Sequence, residues 1–202
     1  MYRSDHGPGL WQAPLRAAFL VIAAFWGIGL AACDIRTGQI GASVMHLLLI
    51  PIHEAGHLLF SPFGQTLTIL GGSLMQVVLP LFLCGAFVVR KADSYGAGLC
   101  LWWAGASMLD LSPYIYDALH PALLLLSGHT GATDGGHDWV NLLGTWGLRA
   151  YAQELARAAW VAGVLWMQGG ILWAAWSIDA ITMPAHATTP IDRPISQADG
   201  YP

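Results

Sequence analysis

Charge is what this 202-residue chain has least of: Lys, Arg, Asp and Glu together make up 10% of it, against about 25% in an average soluble domain. Eight basic residues against twelve acidic ones give a net charge of −4, and no Lys/Arg patch is present. Such a surface cannot track a phosphate backbone, which excludes nucleic acid as a partner. Cysteine is scarce too. Cys33, Cys84 and Cys100 form no C-x-x-C pair, and each lies in an apolar run. They read as small buried hydrophobes rather than as a disulfide framework or a thiolate metal site.

What is abundant is apolar. Hydrophobic residues make up 55% of the chain, mean hydropathy is +0.54, and there are ten tryptophans, a residue that favours the membrane–water interface. The composition predicts an all-α integral membrane protein whose surroundings are the lipid bilayer. Apolar runs of roughly 17–25 residues mark membrane spans, and five stand out: Pro14 to Cys33, Gly41 to Phe60, Ser73 to Val89, Gly96 to Leu111 and Ala156 to Ile178. Leu119 to Leu126 is too short to cross, and His137 to Leu148 reads as a segment along the surface or dipping inward. The expectation is therefore five to six transmembrane helices.

Thr66 to Leu70 is β-favouring and is closed by Gly71-Gly72, which predicts a short strand or re-entrant segment after the second span. Residues 1–183 read as a single multi-pass membrane domain with a metal-binding core over about 41–148. The stretch 184–202, with Pro184, Pro190, Pro194 and Pro202, reads as a disordered tail. Leu30-Ala31-Ala32-Cys33 resembles a lipoprotein cleavage box, but the first helix is expected to stay uncut. The setting expected is a bacterial inner membrane. The basic residues split evenly between the two sides, and Arg3 with Arg16 then favours an inside N-terminus.

Within the second span stands His53-Glu54-Ala55-Gly56-His57. Residues four apart share one face of a helix, so His53 and His57 can grip one Zn²⁺ through neutral imidazoles. Glu54 beside them can take a proton from an activated water as general base. Two histidines and a glutamate inside an apolar helix cost on the order of a few kcal/mol, and a metal offsets that cost. A catalytic zinc needs three protein ligands and one open position. The third can come from Asp110, Asp117, His120, Asp134, His137 or Asp138, which lie near helix breaks further along. His46, seven residues before His53, reads as a packed histidine behind the ligands rather than as one of them.

These residues resemble the site-2 protease family of intramembrane zinc metallopeptidases, which carries H-E-x-x-H on one transmembrane helix. A later Asn-Leu-x-Pro…Leu-Asp-Gly segment of that family supplies an Asp ligand. Here the order is His53-Glu54-Ala55-Gly56-His57, then Asp110-Leu111-Ser112-Pro113 and Asp117-Ala118. Asp110 stands in place of Asn, and Ala118 in place of Gly. The resemblance covers Gly41 to Ala118 and implies Asp117 as third ligand. His137 is the alternative, because imidazole is the commoner zinc ligand. Gly71-Gly72-Ser73-Leu74-Met75-Gln76 is similar to the family's Gly-rich substrate-side segment, which implies substrate-binding roles for Ser73 and Gln76.

The function implied is a membrane-embedded zinc metallopeptidase that hydrolyses peptide bonds of membrane protein or peptide substrates. A strand at Thr66 to Leu70 would bind the unwound substrate by edge addition, and the glycines at 64, 71 and 72 would admit water. The alternatives are an inactive pseudoprotease or accessory subunit of a larger membrane complex, and a metal or proton transporter. Exposed apolar helix faces leave room for a homo-oligomer or a membrane partner.

Overall fold

The structure is a computed structural model that describes residues 11–91 and 93–182. The expected disordered tail lies outside the described residues. Among the described residues seven α-helices follow in order: α1 (Gln12–Ala31), α2 (Val44–Phe60), α3 (Gln65–Ala86), α4 (Ser94–Asp117), α5 (Gly131–Asp134), α6 (Asp138–Thr145) and α7 (Ala152–Thr182). Four helical stretches are long and apolar enough to cross a membrane: Gln12–Ala31, Val44–Phe63, Gln65–Arg90 and Arg149–Ile178. Their outward faces expose large apolar side chains such as Phe19, Phe25, Leu58, Phe82, Leu165 and Leu172.

α4 differs from these four. At 24 residues it is about 36 Å long, yet its sequence is small and mixed, with Ala104, Gly105, Ala106 and Ser107 in a row. It is the central helix: α7 packs along it, α3 packs on it, and most of its length is buried. A helix walled in by protein has no need of a lipid-facing surface.

Small residues fix how close α4 and α7 come. A Cβ on Gly98 would stand 2.6 Å from the Gly170 carbonyl oxygen, and one on Gly105 would stand 2.5 Å from that of Gly163. The reverse contacts are equally short, so the two backbones touch at two levels. α2 and α3 meet the same way, since a Cβ on Gly71 would lie 2.7 Å from the Gly56 carbonyl oxygen. Gly71 and Gly72 are thus close-packing points inside α3, not breaks that admit water.

Two sequence expectations change here. Thr66 to Leu70 is the first part of α3, with no strand. Gly64, at φ 95°, takes a backbone turn open to glycine, and the chain restarts as a helix at once. The Thr68 hydroxyl donates to the Gly64 carbonyl at 3.0 Å, which settles a β-branched residue inside the helix. Second, α4 does not stop at Ser112-Pro113 but runs on to Asp117. Pro113 cannot donate to the Leu109 carbonyl, and the Ser112 hydroxyl fills that carbonyl instead, at 2.7 Å.

Candidate metal centre

α2 starts at a serine cap, where Ser43 Oγ accepts the His46 backbone N–H at 3.1 Å. From there the helix carries His46, His53, Glu54 and His57 into a cavity of about 540 Å³ walled by α2, α3, α4 and the segment after α4. His53 and His57 sit one helical turn apart with ring centroids 4.8 Å from each other. Each is pinned from behind. His53 Nδ1–H donates to Gln76 Oε1 at 2.7 Å, and His57 Nδ1–H donates to the Thr68 carbonyl at 2.8 Å.

The orientation of the Gln76 amide is set by its other end. Its Nε2 faces the Ser107 carbonyl at 3.4 Å and Asp110 Oδ2 at 3.3 Å; both are acceptors only, so the donor must face them. Asp110 Oδ1 in turn meets His46 Nδ1 at 2.9 Å. A polar line thus runs His46–Asp110–Gln76–His53 behind the site. His46 takes the supporting place the sequence implies.

With both Nδ1 protons committed, both Nε2 atoms carry lone pairs toward the cavity. They converge on Asp138: its Oδ2 lies 3.0 Å from His53 Nε2 and 3.3 Å from His57 Nε2. Three acceptors face one another, an arrangement that a metal ion, or a proton on one imidazole, would satisfy. Tetrahedral zinc with ligand distances of about 2.0–2.2 Å separates its ligand atoms by about 3.3–3.5 Å, close to the separations seen. The ion also has room. Gly72 of α3 lies against the pair, and a Cβ there would come within 2.5 Å of His53 Nε2 and 2.6 Å of His57 Nε2. Only glycine leaves that space free. The donor set and the space both suit zinc.

The acid beside the imidazoles is therefore Asp138, not Asp117. Asp117 is buried at the end of α4 and accepts the backbone N–H groups of Ala122 and Leu123 at 2.8 and 3.1 Å. His137 is fully buried and does not join the His53–His57–Asp138 group. Its Nδ1 accepts the Val140 N–H at 3.3 Å and caps α6, so its Nε2–H donates to Asp117 Oδ2 at 3.2 Å. The sequence candidates Asp117 and His137 pair with each other, and the pair holds the start of α6, where Asp138 is the first residue. The Tyr114 hydroxyl accepts the Asp138 backbone N–H at 3.0 Å, and its ring stacks on His137 at 4.2 Å.

Ser73 and Gln76 take supporting places rather than the substrate-facing ones implied by the resemblance. Ser73 Oγ accepts the Trp139 indole N–H at 3.1 Å, which ties α6 to α3, and Gln76 is spent on His53 and Asp110. Asp110 belongs to the supporting line rather than to the ligand set, and His120 is exposed beyond α4. Glu54 lines the cavity next to His53 and is exposed to it. Comparison with protein-family models, with curated proteins and with solved structures finds no match.

Proposed function

We propose that this chain is a membrane-embedded zinc-dependent peptide hydrolase, related in design to the site-2 proteases. The observation that carries the reading is the convergence of His53 Nε2, His57 Nε2 and Asp138 Oδ2, backed by hydrogen bonds that leave each imidazole only one lone pair to give. Four helices apolar enough to cross a bilayer, with α4 enclosed among them, support a multi-pass protein in a bacterial inner membrane. His53, His57 and Asp138 would hold the ion. Zinc held there would supply a water of lowered pKa, toward about 7, and a Lewis acid for a carbonyl.

The chain's own residues do the rest. Glu54, beside His53 and open to the cavity, takes the water proton and returns it to the leaving amine. The cavity is walled by Ile40, Ile50, Ile69 and Leu123 to Leu126, which suits an apolar, unwound segment of a membrane protein or peptide. Leu124 is bridged antiparallel to Thr130, so the extended backbone at the cavity lies after α4 and not at Thr66 to Leu70.

The test is metal content and cleavage together, on detergent-purified protein. About one zinc per chain is expected in the wild type, lost in His53→Ala and kept in Glu54→Gln. Cleavage of an apolar peptide is expected to fall about 10²–10⁴-fold in Glu54→Gln. Folded wild-type protein that takes up no zinc would overturn the reading.

A further inference from the structure

We infer that Tyr114 is a second catalytic residue of this site, its phenolic O–H donating to the scissile carbonyl oxygen as that oxygen gains charge. The inference rests on the peptidase reading above and adds a group that neither the H-E-x-x-H motif nor the resemblance supplies.

Three observations lead to it. Tyr114 lines the cavity that holds His53, Glu54, His57 and Asp138. The oxygen of that hydroxyl is already used as an acceptor by the Asp138 backbone N–H at 3.0 Å. Its hydrogen has no acceptor among the described residues, although phenolic O–H groups in enclosed sites ordinarily find one. The ring is held in place by stacking on His137 at 4.2 Å, with the His53 ring edge-on at 6.3 Å. A fixed donor, unspent and facing the reaction space, is what stabilising a developing oxyanion requires.

The other polar groups nearby cannot take this part. Gln76 is committed at both ends, the Ser73 hydroxyl holds Trp139, and Glu54 and Asp138 are acceptors. His46, the remaining imidazole of the cavity, is turned to Asp110. Tyr114 is the unspent hydrogen-bond donor among these side chains.

The step balances as follows. Water adds to the carbonyl carbon, forming a C–O bond, while the π pair moves onto the carbonyl oxygen and one water proton passes to Glu54. The Tyr114 O–H donates a hydrogen bond to that oxygen and keeps its proton. The pair then returns to re-form C=O, the C–N bond breaks, and Glu54 hands the proton to the leaving nitrogen. Tyr114 ends as it began.

The experiment compares wild type with Tyr114→Phe, which preserves the ring stack and removes the hydroxyl. Three quantities are measured: zinc content, cleavage of an apolar peptide, and binding of two inhibitors to the zinc-loaded protein. One inhibitor is a phosphinic peptide, which mimics the tetrahedral oxygens; the other is a thiol peptide, which has none. Expected are unchanged zinc, kcat lower by about 10²-fold, phosphinate affinity lower by at least about tenfold, and unchanged thiol affinity. Equal loss of both inhibitors, or loss of zinc, would mean that the hydroxyl acts by holding Asp138, and would overturn the inference. So would unchanged kcat and phosphinate affinity. Incorporation of 3-fluorotyrosine at position 114 keeps the hydroxyl and the fold while strengthening the donor. It is expected to tighten phosphinate binding, and no change there would also count against Tyr114. Wild-type protein that binds zinc but cleaves nothing would sink the peptidase reading itself, separately from the role of Tyr114.

Discussion

Gln76 receives the Nδ1–H of His53 at 2.7 Å while its own amide N–H₂ faces Asp110 at 3.3 Å. One neutral side chain therefore fixes the tautomer of His53 and is itself fixed by a buried carboxylate. Gln76→Leu removes the acceptor and frees the His53 ring. Zinc affinity measured by competition with a chelator is expected to fall about 10–100-fold, with the helix content by circular dichroism unchanged.

Asp138 and Asp117 should separate cleanly. Asp138→Ala removes one of three converging atoms and is expected to abolish zinc binding in a metal-content assay. Asp117→Asn keeps one acceptor oxygen for the turn at Ala122 and Leu123, but its amide N–H₂ then faces the His137 Nε2–H, and the charge is lost. It is expected to retain zinc and to cost about 1–3 kcal/mol of stability in thermal unfolding. The opposite pattern would restore Asp117 as the ligand.

The H-E-x-x-H pair was legible because it rests on helix periodicity alone. Its third partner was not, because Asp138 reaches His53 across 85 residues and the path between them is irregular. Asp134-Gly135-Gly136-His137-Asp138 does look like a ligand segment. Imidazole preference pointed to His137, whose Nδ1 is in fact spent on capping α6. Here His137 caps α6, and the side chain that follows it, Asp138, is the one that faces His53 and His57. Four of the five expected apolar runs correspond to helices long and apolar enough to cross a membrane, while Gly96 to Leu111 falls in the buried α4; Thr66 to Leu70 was too short a stretch for alternation to distinguish strand from helix. The apolar run continuing to Ala86 decided it.

Gly72→Ala is the sharpest steric test. In an open helix this change gains about 1 kcal/mol of helix propensity. Here the new methyl would meet both imidazole Nε2 atoms at 2.5 and 2.6 Å, and both rings are held from behind. The expected result is a protein that takes up no zinc and gains none of that propensity in stability, read by metal analysis beside thermal unfolding.

Asp34, in the turn after α1, gives a pH marker outside the spans. The Arg36 side chain and backbone N–H bind its carboxylate and hold its pKa at about 2. A carboxyl lowered on folding stabilises the fold above its unfolded pKa, near 3.9, and that contribution is lost as pH falls through about 2. Carbon-13 titration is expected to place Asp34 there, and Arg36→Ala to return it toward its ordinary value.

The reciprocal glycines of α4 and α7 act as a gauge. Gly98 meets Gly170 and Gly105 meets Gly163, so one helix cannot slide by a turn without driving side chains into backbone at both levels. Asp110 and Tyr114 ride on α4 and inherit that fixed depth. Any widening of the cavity must then come from α2, α3 or the chain after α4, while the α4–α7 pair serves as the datum against which that movement is measured.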